Sequence, residues 1–217
     1  MSAEGRLRVA VCVVPGFLVA LQGSTASADP VDPSYGRVEG DVTVAPGIGL
    51  GAEPRGPSLV GDLRIRYLQT AGVFAMYQDG SALSSSAEPR RSLSFGTELR
   101  PVFLARYLQD LESRHAWMDL IMDSLSLDLG VVFAQPAGES FGGQPGLQAG
   151  VGFGVPVLLR VDGPWIGVHG GVRWSEDALA TGHARKVSDQ APYLAITIVY
   201  EQLFMTHIVD AGDRRPE

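Results

Sequence analysis

The sequence predicts an all-β fold: an eight-stranded antiparallel up-and-down transmembrane β-barrel, with a short amphipathic helix between strands 4 and 5. Three observations predict it. Apolar residues alternate with small or polar ones in eight separate segments, the period of a strand whose two faces meet different surroundings. Connections between the segments are alternately short and long. The apolar face is broad, while the opposite face combines glycine with charges of both signs.

The chain opens with a segment set apart from this pattern. Residues 1–28 carry Arg6 and Arg8, then an apolar run from Val9 to Leu21, then Ala26-Ser27-Ala28 before Asp29. Those are the three regions of a cleaved export signal, in order, and the apolar run is too short to span a membrane. The expected organisation is therefore a leader (1–28), a lead-in (29–36), a barrel (37–204) and a C-terminal periplasmic tail (205–217). Cleavage removes Cys12, the only cysteine, so the mature chain is expected to have no disulfide or thiol chemistry. It also removes Glu4, Arg6 and Arg8, so 24 acids become 23 and 17 bases become 15. An acidic exported chain whose only lysine is Lys186 is a poor nucleic-acid ligand. No later run reaches 18 apolar residues, which excludes a transmembrane helix and leaves a barrel open.

The strands follow in order. In "VEGDVTVAPGIGLG", Val38, Val42, Val44, Ile48 and Leu50 oppose Glu39, Asp41, Thr43, Gly47, Gly49 and Gly51. Strand 2, "LVGDLRIRY", sets Leu59, Leu63, Ile65 and Tyr67 against Asp62, Arg64 and Arg66. Strand 3, "AGVFAMYQ", is apolar on both faces. Strand 4, "LSFGTELRPVFLARY", places Leu93, Phe95, Leu99, Phe103 and Tyr107 opposite Ser94, Gly96, Glu98, Arg100 and Arg106. Strand 5, "LSLDLGVVF", opposes its leucines to Ser126, Asp128 and Gly130. Strand 6, "LQAGVGFGVPVLLR", is apolar at every odd position and ends in Arg160. Strand 7, "WIGVHGGVRW", sets Ile166, Val168, Val172 and Trp174 against His169 and Arg173. Strand 8, "YLAITIVYEQLF", carries Leu194, Ile196, Ile198, Tyr200 and Phe204 on one side and Glu201 on the other.

Strands 2 and 3 are joined around Gln69-Thr70, and strands 6 and 7 by "VDGP". The odd-numbered connections, "AEPRGP", "DGSALSSSAEPRR", "QPAGESFGGQPG" and "SEDALATGHARKVSDQ", are longer and polar, as outer loops of a membrane barrel would be. One connection departs from this. Through 109–123 and its flanks, Leu108, Leu111, Met118, Ile121 and Leu125 recur near helical spacing with acids between them. Two placements suit such a helix: along the inner membrane-water boundary, where Trp117 fits, or packed over the periplasmic mouth of the barrel.

The residue types decide which face meets what. A soluble ligand-binding barrel of the lipocalin kind turns its apolar face inward, and a membrane barrel turns it outward. Eight strands leave little internal room, glycine relieves crowding, and buried charges persist only when paired. A polar lumen network is therefore expected from Asp41, Asp62, Arg64, Arg66, Glu98, Arg100, Asp128, Arg160, His169, Arg173 and Glu201. Tyr67, Tyr107, Trp165, Trp174, Tyr193 and Phe204 fall near strand ends and are expected to form interfacial girdles.

With these features the chain resembles the small eight-stranded outer-membrane barrels of Gram-negative bacteria, such as the barrel domain of outer membrane protein A. The resemblance spans Arg37 to Phe204 and rests on strand number, loop asymmetry, the export signal and the aromatic closing the last strand. It implies the cell outer membrane as location, outer-membrane lipids as surroundings and insertion by the barrel-assembly machinery, which reads such a terminal aromatic. A structural or surface-interaction role, with a partner met through the outer loops, follows from it. Here "MTHIVDAGDRRPE" follows Phe204, so the last strand either runs on to Ile208 or gives way to a tail. Transport or binding of small apolar compounds is the alternative role among similar barrels.

Some barrels that resemble this one modify lipid A, using a His with a Ser and a carboxylate. His169 and Ser175 share strand 7 but are about 20 Å apart along it, too far to hydrogen-bond. His183, with Ser188 and Asp189 nearby, lies in a polar loop. No catalytic residue, cofactor or metal site is expected: cysteines are gone, His115, His169, His183 and His207 are scattered, and no helix start follows the glycine-rich "GVGFG" or "GIGLG".

Overall fold

A computed structural model of the chain describes residues 41–54, 56–83, 89–109, 111, 115–135, 140–142, 144–181 and 190–206. The expected leader, the lead-in, the onset of the barrel at 37–40 and the tail beyond Thr206 lie outside the described residues. Eight strands follow: β1 (Val42–Glu53), β2 (Gly56–Tyr67), β3 (Ala71–Asp79), β4 (Arg91–Leu99), β5 (Ser126–Gln135), β6 (Gly146–Pro156), β7 (Gly163–Trp174) and β8 (Gln190–Phe204). Each pairs antiparallel with its neighbour, and β1 pairs with β8, so the sheet closes in the order of the chain. This is the predicted eight-stranded barrel. The β1–β8 ladder runs from Val42↔Phe204 to Ala52↔Leu194 and skips Ala45 and Pro46, where Pro46 has no N–H to donate.

Closure leaves no edge strand, and the period of two sorts every strand into an inner and an outer face. In β8, Tyr193, Ala195, Thr197, Val199 and Glu201 are buried while Leu194, Ile196, Ile198 and Tyr200 are exposed. In β2, Ser58, Val60, Asp62, Arg64 and Arg66 point in while Leu59, Leu63 and Ile65 point out. β3 explains its two apolar faces by putting Phe74 and Met76 inside and Val73 and Tyr77 outside.

Several boundaries differ from the sequence expectation. β4 stops at Leu99 because Pro101 takes the first position of helix α1 (Pro101–Leu108), where its missing N–H costs nothing. Phe103 is consequently buried at the barrel mouth instead of facing outward, Tyr107 lies on a helix, and Arg106 leaves the strand. A second helix, α2 (Ala116–Asp123), completes the connection, so two short helices stand where one was expected. They pack over the mouth: Leu120 joins Ala45, Val161, Trp165 and Val199 in one buried cluster. β6 ends at Pro156, and a turn over 157–162 precedes β7, which Gly163 opens at φ 119°, a conformation side chains rarely adopt. β1 runs to Glu53 and β2 starts at Gly56, and these two residues pair, so only two residues separate the strands in place of the expected longer loop. β8 ends at Phe204, with Met205 and Thr206 outside the strand, and Ile208 lies outside the described residues. A short helix, α3 (Glu176–Thr181), follows β7.

The β2–β3 turn places Leu68 at φ 46° and Gln69 at φ 55°, which costs about 1–2 kcal/mol per residue for side chains other than glycine. Gln69 offsets this by reaching inward: its Nε2 donates to Thr43 Oγ1 at 2.6 Å and its Oε1 accepts from Arg100 Nη1 at 3.0 Å.

The glycines of β6 owe their place to inward side chains of the next two strands, β7 and β8. A Cβ at Gly154 would lie 2.9 Å from the Trp165 ring, one at Gly150 would meet the Tyr193 hydroxyl, and one at Gly152 would meet the His169 ring and, at 2.8 Å, Ser126 Oγ. Three rings thus fill the volume that three side chains would need. Gly152→Ala is expected to lower stability by about 1–3 kcal/mol through overpacking. Adding His169→Ala should recover part of that loss, read as the urea midpoint of the single and double variants.

Candidate functional site

The lumen holds the chemistry of this molecule, in two clusters. The first is centred on Arg64. Its Nε donates to Asp62 Oδ2 at 2.8 Å, its Nη1 to Glu98 Oε2 at 2.9 Å, and Nη1 and Nη2 together to the two oxygens of Asp128 at 3.1 Å each. Strand register makes this possible. Glu98 of β4 pairs with Asp128 of β5, and Arg64 lies across from Phe74 of β3, whose ring sits 5.4 Å below the guanidinium carbon. Arg66, one inward position along β2, donates to Glu98 Oε1 at 2.9 Å and to Glu201 Oε1 at 2.8 Å. Arg100, beyond the end of β4, reaches the same two oxygens at 3.2 and 3.4 Å. His169 Nδ1 stands 3.3 Å from Asp128 Oδ2.

Three guanidiniums thus face four carboxylates, with His169 as the remaining basic group, and all of them are buried. Buried ions persist where oppositely charged partners stand at hydrogen-bonding distance; Arg64 meets three carboxylates and Glu98 three guanidiniums, while Asp62 has Arg64 alone as its ion-pair partner among the described residues. The second cluster is built on Arg173 of β7, nearer the opposite end. It donates to Gln148 Oε1 at 2.8 Å, Glu53 Oε1 at 2.5 Å, Gln78 Oε1 at 2.7 Å and Ser92 Oγ at 3.2 Å. Its guanidinium carbon lies 4.4 Å over the Tyr193 ring.

Of the eleven residues expected in the lumen, nine occupy these two clusters. Two do not. Arg160 lies in the turn after β6, because the strand ends at Pro156, and there it pairs with Asp162 at 2.9 Å in partial exposure. Asp41 precedes β1 and binds the backbone N–H and hydroxyl of Thr206 at 2.6 Å each, tying the two ends of the barrel wall at the rim. The expected aromatic girdle also loses two members. Trp165 and Tyr193, each 4% exposed, point inward, where Trp165 Nε1 donates to the Val161 carbonyl at 2.8 Å.

The space left over is small. A cavity of about 20 Å³ lies among His169, Ser126, Trp165, Glu201 and their neighbours, room for one water and far below what a small-molecule ligand needs. Two further cavities are about 10 Å³ each. His169 meets Asp128 rather than a serine, and Ser175 Oγ accepts from the Ala178 N–H at the start of α3. His183, Ser188, Asp189 and His207 lie outside the described residues. No group of three or more metal-ligating side chains occurs among the described residues.

No protein-family model matches the chain, and no curated protein does. Among solved structures it is similar to the solution NMR structure of the de novo designed protein TMB2.3, at 14% identity, over 74% of this chain and 93% of that one, with a TM-score of 0.35.

Proposed function

We propose that this chain is an integral outer-membrane β-barrel without enzymatic activity, whose role is structural or surface-interacting and is exercised through the connections between β3 and β4, β5 and β6, and β7 and β8. One observation carries the reading: the molecule is inverted relative to a water-soluble fold. Its interior holds the ion-pair clusters, and its exterior is a belt that includes Ile48, Leu63, Val73, Phe95, Leu129, Val151 and Ile198, all exposed. Among the exposed described strand residues only Arg91 is charged, and it stands at a strand end, 3.2 Å from Asp79. Soluble monomers rarely expose an apolar surface that encircles them, whereas a hydrocarbon core favours one.

The two alternative roles find less support. A soluble lipocalin-like barrel requires its apolar face inside, and transport of small apolar compounds requires an apolar path that the charged, filled lumen does not offer. Outer-membrane lipids surround the belt in this reading, the barrel-assembly machinery inserts it, and any protein partner is met at the loops.

Cell fractionation with an unboiled-versus-boiled gel tests this. The protein is expected in the outer-membrane fraction, migrating faster unboiled. Recovery in the soluble fraction without detergent, with no shift on boiling, would mean that the apolar face meets water through a partner or assembly, and the proposal would fall.

A further inference from the structure

The helical connection over the barrel mouth repeats the inversion of the barrel itself. The charged residue of α1 is Arg106, and those of α2 are Asp119 and Asp123. These three pair with one another: Arg106 Nη2 binds Asp119, and its Nε lies 2.9 Å from Asp123 Oδ1, with both acids buried. The outer faces carry Leu104, Tyr107 and Leu108 on α1 and Trp117, Met118 and Met122 on α2, all exposed, with Leu108 at 73% and Met118 at 56%. A cap turned to water would do the opposite, placing acids and arginine outside and leucine and tryptophan against the barrel.

The surface is also continuous with the belt. Leu99, exposed at the end of β4, leads into α1, and Leu127, exposed in β5, follows α2. The neighbouring turn adds Val157, Leu158 and Leu159, again exposed and uncharged.

We infer that the two helices and the 157–159 turn form a lipid-seated collar. The outer faces of α1 and α2 are buried in the phospholipid leaflet at the closed end of the barrel, extending its membrane-embedded surface beyond the strand ends on the β4–β6 side. The inner faces meanwhile seal the mouth through Phe103 and Leu120. This rests on the membrane-barrel reading above. Tyr107 and Trp117 suit the headgroup boundary, and the intervening leucines and methionines suit the acyl chains beneath it.

Site-directed spin labelling of the full chain, in a Cys12→Ser background and refolded into phosphatidylcholine vesicles, tests the collar. Labels go on Met118→Cys for the collar, Ile198→Cys for the belt and Phe141→Cys for an outer loop, with the gel shift confirming that each variant has folded. Collisions with oxygen and with a water-soluble nickel chelate then report the surroundings of each label. Labels at 118 and 198 are expected to be relaxed by oxygen and shielded from nickel, with the reverse at 141. A label at 118 open to nickel while 198 remains in lipid would overturn the collar and leave the barrel reading intact. A label at 118 shielded from both agents would mean that protein covers this face, as in a dimer, and would also overturn it. Nickel access at 198 would overturn the barrel reading and the collar together.

Discussion

Replacing Arg64 with methionine is expected to lower the unfolding free energy by about 3–5 kcal/mol, the usual cost of removing one partner from a buried ion cluster. The size follows from what is left behind. Asp62, Glu98 and Asp128 each lose a direct hydrogen bond from the same guanidinium, and none of the three is open to water. Glu98 retains Arg66 and Arg100 and Asp128 retains its neighbour His169, whereas Asp62 keeps no ion-pair partner among the described residues. Asp62, left with no ion-pair partner, and Asp128, which loses two hydrogen bonds, should therefore dominate the loss, and Asp62→Asn or Asp128→Asn in the Arg64→Met background should each restore part of it. Arg64→Lys keeps the charge but cannot span three carboxylates with one ammonium, so it should fall between the parent and Arg64→Met. Urea unfolding in detergent micelles, followed by tryptophan fluorescence, checks the order. A loss under 1 kcal/mol for Arg64→Met would mean that the cluster relaxes by admitting water and does not hold the barrel together.

That cluster was largely legible in the sequence, because strand parity alone assigns a side. Asp62, Arg64 and Arg66 share one parity in β2, and Asp128, His169 and Glu201 sit opposite the leucines and isoleucines of their own strands. Where parity and residue type disagreed, parity won. Trp165 and Tyr193 resemble girdle aromatics by position, yet each has the parity opposite to Ile166 and Leu194, and each is inside. The same rule would have found Gln78, Ser92, Ser94 and Gln148, uncharged residues on inward positions that assemble around Arg173.

What parity could not supply is where a strand stops. Arg160 and Phe103 were misplaced because alternation continues in the sequence past the points where Pro156 and Pro101 end the ladder. The pairing of Arg106 with Asp119 and Asp123 was hidden for a related reason. It depends on two helices packing against each other where the apolar spacing suggested a single one.

Ile198→Arg, on the opposite face of β8, is expected to cost about 2–4 kcal/mol in lipid vesicles, the penalty of a cation facing hydrocarbon near the membrane midplane. Ile198 lies near the centre of β8, pairs with Ile48 and Ile166, and is 68% exposed. The same substitution on a water-facing strand would stay within about 0.5 kcal/mol, because an exposed arginine is well hydrated and breaks no contact. The sign and size of this one change therefore distinguish the two surroundings of the belt. Ser140→Arg in an outer loop serves as the control and should be neutral in either case. Folded fractions from the gel shift across a urea series in phosphatidylcholine vesicles give both values. If Ile198→Arg proved as neutral as Ser140→Arg, the belt would have to meet water or a polar partner. The buried ion clusters would then be the core of a soluble barrel turned inside out, a fold with little hydrophobic stabilisation of its own, and a reading the energetics of buried charge make hard to sustain.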